Sequence, residues 1–188
     1  KYSILGKTNV YKNEILKGAL FIGPNAAGKS NALKGLSFII KMIKGEGVSF
    51  HSYRCLFSDN PIITVEYEFI FEGKKVEYVI EFNVQTNSIS ENLKIDDIIV
   101  LKRMGNTGEL RIGQNVTTDD QVDSETLFLR TASFNTGRFP QEPTLRKLMD
   151  FLQNSYIVDE YNWDARVGST ITRYAEEFGV EKINKYLT

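Results

Sequence analysis

Gly23-Pro24-Asn25-Ala26-Ala27-Gly28-Lys29-Ser30 carries the spacing of a phosphate-binding P-loop: glycine, four residues, then Gly-Lys-Ser. The residue types suit that chemistry. Gly23 and Gly28 let the backbone curl so that successive N–H groups point inward at phosphate oxygens. Lys29 is expected to reach the β- and γ-phosphates, and the Ser30 hydroxyl to hold Mg²⁺. A helix starting near Gly28 would add the positive end of its dipole, with Asn31 in its first turn. The stretch therefore predicts binding of a nucleoside triphosphate with magnesium.

Such a loop works only between a strand and a helix, and the flanks read that way. Ala19-Leu20-Phe21-Ile22 is a short apolar run suited to a buried strand. Residues 31–44 read as a helix, with Leu33, Leu36, Ile40 and Ile43 at helical spacing and Gly45 and Gly47 ending it. Residues 1–16 read as one or two short strands with a turn near Gly6. Tyr2 and Tyr11 are candidates for stacking on an adenine and Lys12 for approaching a phosphate, although packing and solvation are the commoner roles. Residues 48–60 look irregular; His51 reads as a packed or surface residue and Cys55 as a small buried one with nothing nearby to activate it.

The clearest pattern lies further on. Ile63, Val65, Tyr67, Phe69 and Phe71 alternate with Thr64, Glu66 and Glu68. After a turn at Glu72-Gly73-Lys74, Val76, Tyr78, Ile80, Phe82 and Val84 alternate with Glu77, Glu81 and Asn83. Period-two alternation predicts an antiparallel hairpin with one polar face, which makes the four glutamates a solvated surface rather than a metal or acid–base pair. Residues 89–95 and 98–103 continue the meander around an Asp96-Asp97 turn, and a last short strand is expected at 110–112. Residues 119–123 read as a loop, Ser124 as the cap of a helix through Leu127, Phe128 and Leu129, and 144–153 as a helix buried through Leu145, Leu148, Met149 and Leu152. A strand at 156–158 and helices at 169–178 and 180–187 complete the expectation.

Composition narrows the chemistry. Of 188 residues 41% are hydrophobic and 12% aromatic, enough for a core, and a net charge of −1 gives no overall basic field for nucleic acid or anionic membrane, although a local basic face remains open. One cysteine gives no disulfide framework and fits a reducing, cytoplasmic setting. One histidine removes Ser-His-Asp catalysis and a Cys/His zinc cluster. No apolar run approaches the ~20 residues that span a bilayer, and no signal peptide is visible. The first residue is Lys1, which suggests a fragment.

Among P-loop proteins, the GTPase guanine motif is missing: Asn184-Lys185-Tyr186-Leu187 ends in a residue that cannot accept the guanine hydrogen bonds. A small nucleotide kinase would follow its loop helix with parallel strands, whereas an antiparallel meander follows here. Short strands, a GPNAAGKSN loop, a helix, an antiparallel sheet and later helices resemble the N-terminal lobe of ABC-type ATPase heads, a group that includes SMC and RecF proteins. Pro24-Asn25, Ser30-Asn31 and Ser90-Glu91-Asn92-Leu93 look most similar to the OLD-like or AAA-family ATPases of bacterial abortive-infection and phage-defence systems. The resemblance implies an α/β P-loop NTPase lobe with an antiparallel β-meander sub-domain, a partial ABC-type head. It gives one domain over 1–188, with the meander at 61–113 and a mostly helical part at 124–188.

That resemblance also implies further site residues. A glutamine-bearing loop would fall near Phe134-Asn135, with Asn135 or Gln141 substituting as a magnesium ligand. Tyr156-Ile157-Val158-Asp159-Glu160 imitates a Walker B strand, in which Asp159 would hold magnesium and Glu160 would activate water. The polar Asn154-Ser155 before it, and the absence of a signature motif, favour a lobe strand and turn instead; signature, Walker B and switch histidine would then lie beyond Thr188 or in chain outside this sequence. The implied activity is Mg-dependent ATP hydrolysis by heads that dimerise, or assemble further, on ATP and control an effector such as a nuclease or toxin, or hold DNA, with no membrane partner. Two alternatives stand beside it: a non-hydrolysing ATP-binding scaffold, and a compact phosphotransferase using Asp159 and Glu160.

Overall fold

The computed structural model describes residues 11–12, 15–16, 22, 24, 28–54, 59–135, 137 and 139–156. The chain divides into two compact units, Lys1–Leu36 and Ser37–Thr188. In the first, the expected short strands are present as an antiparallel pair, β1 (Tyr11–Lys12) and β2 (Ile15–Leu16), with Tyr11 opposite Leu16. Ile22 differs from expectation. It lies outside any strand and is 86% exposed; a buried strand of this kind needs paired neighbours and covered faces, and none meets Ile22 among the described residues.

Helix α1 (Lys29–Lys44) crosses from the first unit into the second. Its end is a Schellman closure: Gly45 takes φ +77, its N–H donates to the Met42 carbonyl, and the Glu46 N–H donates to the Lys41 carbonyl at 2.9 Å. The buried stripe is the expected one only in part: Ile43 is buried and Ile40 packs against the core, but Leu33 and Leu36 do not join them. Phe38, Ile39, Met42 and Ile43 are buried, whereas Leu33 and Leu36 remain about half exposed. The helix offers two apolar stripes of similar period, and the aromatic floor of the second unit selects the one holding Phe38, whose ring meets Phe50 and Tyr53 edge-on at 5.6 and 5.2 Å.

The second unit is built on a six-stranded antiparallel meander in strict sequence order: β3 (Ile62–Phe71), β4 (Lys74–Asn83), β5 (Ser88–Ile95), β6 (Ile98–Met104), β7 (Thr107–Ile112) and β8 (Asn115–Asp119). The hairpins fall where alternation placed them. Phe71 pairs with Lys74 around Glu72 and Gly73, both at positive φ, and Ile95 pairs with Ile98 around Asp96 and Asp97, also both positive; paired positive φ values match the twist of the flanking strands. The sheet does not stop near residue 113 but continues through β8, and β7 begins earlier than expected.

One face of the sheet carries Val76, Tyr78, Ile80, Phe82, Ile89, Leu93, Leu101 and Leu110 into a single core with α1, α2 (Phe128–Asn135) and α3 (Pro143–Asn154). In α3, Leu145, Leu148, Met149 and Leu152 are buried as expected, Pro143 opens the helix, and the Glu142 carboxylate accepts from the Thr144 N–H. The opposite face is polar: Glu66, Glu68 and Glu81 are exposed, and Lys75 bridges Glu68 and Glu77 at 3.0 and 2.9 Å. Tyr156 is not in a strand; its ring lies 3.9 Å below the Lys44 ammonium. The strand residues 157–158 and the helices expected at 169–178 and 180–187 lie outside the described residues. No helix among the described residues is long and apolar enough to cross a membrane.

Candidate functional site

Gly28 sits at φ +84, a left-handed conformation that a side chain would strain, and a Cβ built on it would meet nothing within 4 Å. Lys29 follows as the first residue of α1. The Asn31 and Ala32 N–H groups donate back to the Gly28 carbonyl at 3.0 and 3.2 Å. Pro24, Ser30 and Asn31 are exposed, and no acidic residue stands in the first helical turn to oppose an anion. An open backbone before a helix N-terminus suits a phosphate group, and a hydroxyl at the second helical position suits its metal. Gly23, Asn25, Ala26, Ala27, Asp159 and Glu160 lie outside the described residues, as do Tyr2 and Cys55.

The other expected ligand, Asn135, is the last residue of α2. α2 is fixed from the sheet. Ser124 does not cap it; the cap is the carboxylate of Glu91, from the middle of β5. Glu91 Oε1 accepts from the Phe128 N–H at 2.6 Å and Oε2 from the Leu129 N–H at 3.3 Å. Both oxygens have second donors: the Tyr78 hydroxyl reaches Oε2 at 2.5 Å, and Arg103 Nη1 reaches Oε1 at 3.3 Å. Arg103 spends its other donors on backbone carbonyls, those of Gly105 at 2.6 Å, Asp123 at 2.7 Å and Thr126. Glu91 and Arg103 are 2% and 1% exposed, so this is a desolvated ion pair in which every side-chain nitrogen and oxygen has at least one hydrogen-bond partner. Burial, and then the neighbouring Glu91 charge, push the Tyr78 phenol well above its ordinary pKa.

The signal for this pair is present in the sequence. Ile89, Glu91, Leu93 and Ile95 share one face of β5, and Leu101 and Arg103 share one face of β6. A glutamate and an arginine each at an inward position, directly opposite in register, announce a buried pair. Gln141, the alternative to Asn135, is exposed on a 3-10 turn, Phe139–Gln141. His51 is a surface residue whose ring lies edge-on to Phe82 at 6.4 Å. Among the described residues no group of three or more His, Cys, Asp or Glu side chains could hold a metal.

An α/β unit in which a glycine-initiated helix leads into an antiparallel sheet with further helices is consistent with a P-loop-like domain. Residues 19–139 match the family model described as "AAA domain, putative AbiEii toxin, Type IV TA system", and the chain belongs to that family. No curated protein and no solved structure matches it.

Proposed function

We propose that the chain is the nucleotide-binding lobe of an ABC/SMC-like ATPase head of the OLD-like kind. It binds ATP with Mg²⁺, hydrolyses it, pairs with a second head on ATP, and controls an effector (a nuclease or toxin) or DNA in cytoplasmic anti-phage defence. One observation carries the reading: left-handed Gly28 set directly before the first residue of a 16-residue helix, inside the span matched to the AAA-domain family. The toxin–antitoxin wording of that family supports the defence setting.

In this reading Gly23, Pro24, Asn25, Ala26, Ala27, Gly28 and Asn31 shape the loop and aim its N–H groups. Lys29 brings a positive charge to the β- and γ-phosphates. Ser30 holds the metal, with Asn135 as a further ligand; Asp159 as a metal ligand and Glu160 as the residue that activates water belong to the case in which 156–160 is a Walker B strand and not a lobe strand and turn. Bound Mg²⁺ supplies neutralisation of the charge that builds on the transferred phosphoryl group.

The test is ATP binding by calorimetry and phosphate release, for the chain beside Lys29→Ala and Glu160→Gln. Lys29→Ala is expected to abolish binding; turnover by this chain that Glu160→Gln abolishes without unfolding would make 156–160 a true Walker B strand and overturn the partial-head reading. Undiminished binding by Lys29→Ala would sink the assignment. The family match ends at residue 139, ahead of Asp159 and Glu160, so support for binding reaches further than support for hydrolysis. That observation favours a second reading, an ATP-binding scaffold, which binding without turnover in the complete protein would establish.

A further inference from the structure

We propose that the polar face of the meander docks a second copy of this chain, sheet against sheet, about a two-fold axis running along the strands between β4 and β5. The surface lies within the second unit alone and owes nothing to the nucleotide site. One row across the sheet shows the pattern. Glu66 on β3 stands beside Val79 on β4, Val79 beside Asn92 on β5, and Asn92 beside Lys102 on β6. Their neighbours along each strand point into the core, so all four look outward. Glu66 and Lys102 are exposed, and neither has an ion-pair partner among the described residues. Strands at about 4.8 Å spacing hold them roughly 14 Å apart, too far to pair within one chain. The row beside it has the same order: Glu77 on β4 is opposite Lys94 on β5. Lys75, a base on the acidic side, is taken up by Glu68 and Glu77 at 3.0 and 2.9 Å. The face is thus divided lengthwise, with its carboxylates on β3 and β4 and free ammonium groups on β5 and β6.

A surface divided in that way is complementary to itself. Turned about the dividing line, β3 comes over β6 and β4 over β5. Glu66 then meets Lys102 of the second copy, Lys102 meets its Glu66, and Glu77 meets Lys94 in the same reciprocal way. Strand directions stay aligned, as in face-to-face sheet packing. Turned about an axis across the strands, the same face would set Glu77 over Glu81, and like charges opposed are costly. The middle of the face also lacks a partner. Asn92 and Met104 line a depression of about 430 Å³. Met104 is 66% exposed there, and Asn92 Oδ1 is a buried side-chain oxygen with no hydrogen-bond partner. Buried acceptors are nearly always satisfied, and this one is satisfied if the amide turns to a donor when the face is covered. β3 to β6 give a footprint of roughly 600 Å² per copy, at the small end of specific interfaces, so the pairing is reversible.

The experiment is sedimentation equilibrium of the full chain, without nucleotide and with EDTA, from micromolar to near-millimolar concentration. The unaltered chain is expected to form dimers that weaken as salt is raised. Glu66→Lys and Lys102→Glu each set like charges opposite one another, twice per dimer, and each alone should weaken dimerisation about tenfold or more. Mixed in equal amounts, the two variants oppose unlike charges again and should dimerise with each other, as should the double variant Glu66→Lys/Lys102→Glu with itself. An unaltered chain that stays monomeric throughout, single variants that dimerise as well as the unaltered chain, or a mixture no stronger than its parts would each overturn the proposal. Leaving nucleotide out keeps this contact apart from the pairing of heads on ATP, and failure of either leaves the other standing. Should a variant fail to fold, carbodiimide coupling of the unaltered chain decides. It joins carboxylates only to amines in contact, so a Glu66–Lys102 link is expected in dimers and not in monomers; dimers without that link overturn the proposal.

Discussion

Glu91 accepts four hydrogen bonds from three parts of the fold: Tyr78 on β4, Arg103 on β6, and two backbone amides at the start of α2. Removing the charge while keeping the shape exposes what it does. In Glu91→Gln the amide NH₂ can donate to the Tyr78 oxygen, but the Leu129 N–H then loses its acceptor and Arg103 stays buried without its counter-charge. We expect a loss of about 3–5 kcal/mol, read by denaturant unfolding. Tyr78→Phe removes one donor and should lose about 1–2 kcal/mol at neutral pH. The phenol adds a pH signature. Its folded pKa is raised, so the stability it confers is complete below its ordinary pKa near 10 and is lost as pH climbs toward the folded value. Stability should fall by about 1.4 kcal/mol per pH unit above 10 for this group, and unfolding of Tyr78→Phe at alkaline pH should show a shallower decline. An identical slope in the two proteins would mean that Tyr78 is not protonated in the fold.

At the level of elements, β7 meets α2 where Gly108 faces Phe128: a Cβ on Gly108 would stand 2.6 Å from the ring. Gly108→Ala should therefore destabilise by about 1–3 kcal/mol through overpacking, seen as a lower denaturant midpoint with an unchanged slope. The same elements show what a sequence can and cannot disclose. β3 to β5 are legible because apolar and polar residues largely alternate between recognisable turns, and β6 because an apolar run, Ile98 to Leu101, follows the Asp96-Asp97 turn. β8 is not, since Asn115, Thr117 and Thr118 give it no apolar phase and it is an edge strand. The start of α2 is illegible for another reason: its cap stands 37 residues earlier in the chain, beyond any local window. α1 was placed correctly in sequence, yet its buried stripe depended on Phe50 and Tyr53, which lie outside it.

For the whole molecule, the loop from Gly23 to Ser30 can be proposed from sequence because its chemistry is contiguous, whereas any companions to it come from distant positions and are proposed only by resemblance. A ligand that binds the folded state alone stabilises it in proportion to the logarithm of its concentration. MgATP at 100 times its Kd should raise stability by about 2.7 kcal/mol, and Lys29→Ala should erase that gain in a thermal melt without lowering the ligand-free midpoint. A midpoint that rises equally in both proteins would place the nucleotide elsewhere. The meander also fixes an order of events during synthesis. Each strand pairs with the one made just before it, so the sheet can grow as the chain emerges. Glu91, however, emerges 12 residues ahead of Arg103 and 38 ahead of Leu129. Until those arrive, the growing sheet presents a carboxylate with Tyr78 as its one donor, and no counter-charge, on the face it must later bury. The core is thus sealed from its C-terminal side, and a nascent chain that stalls before α2 holds its sheet open to water.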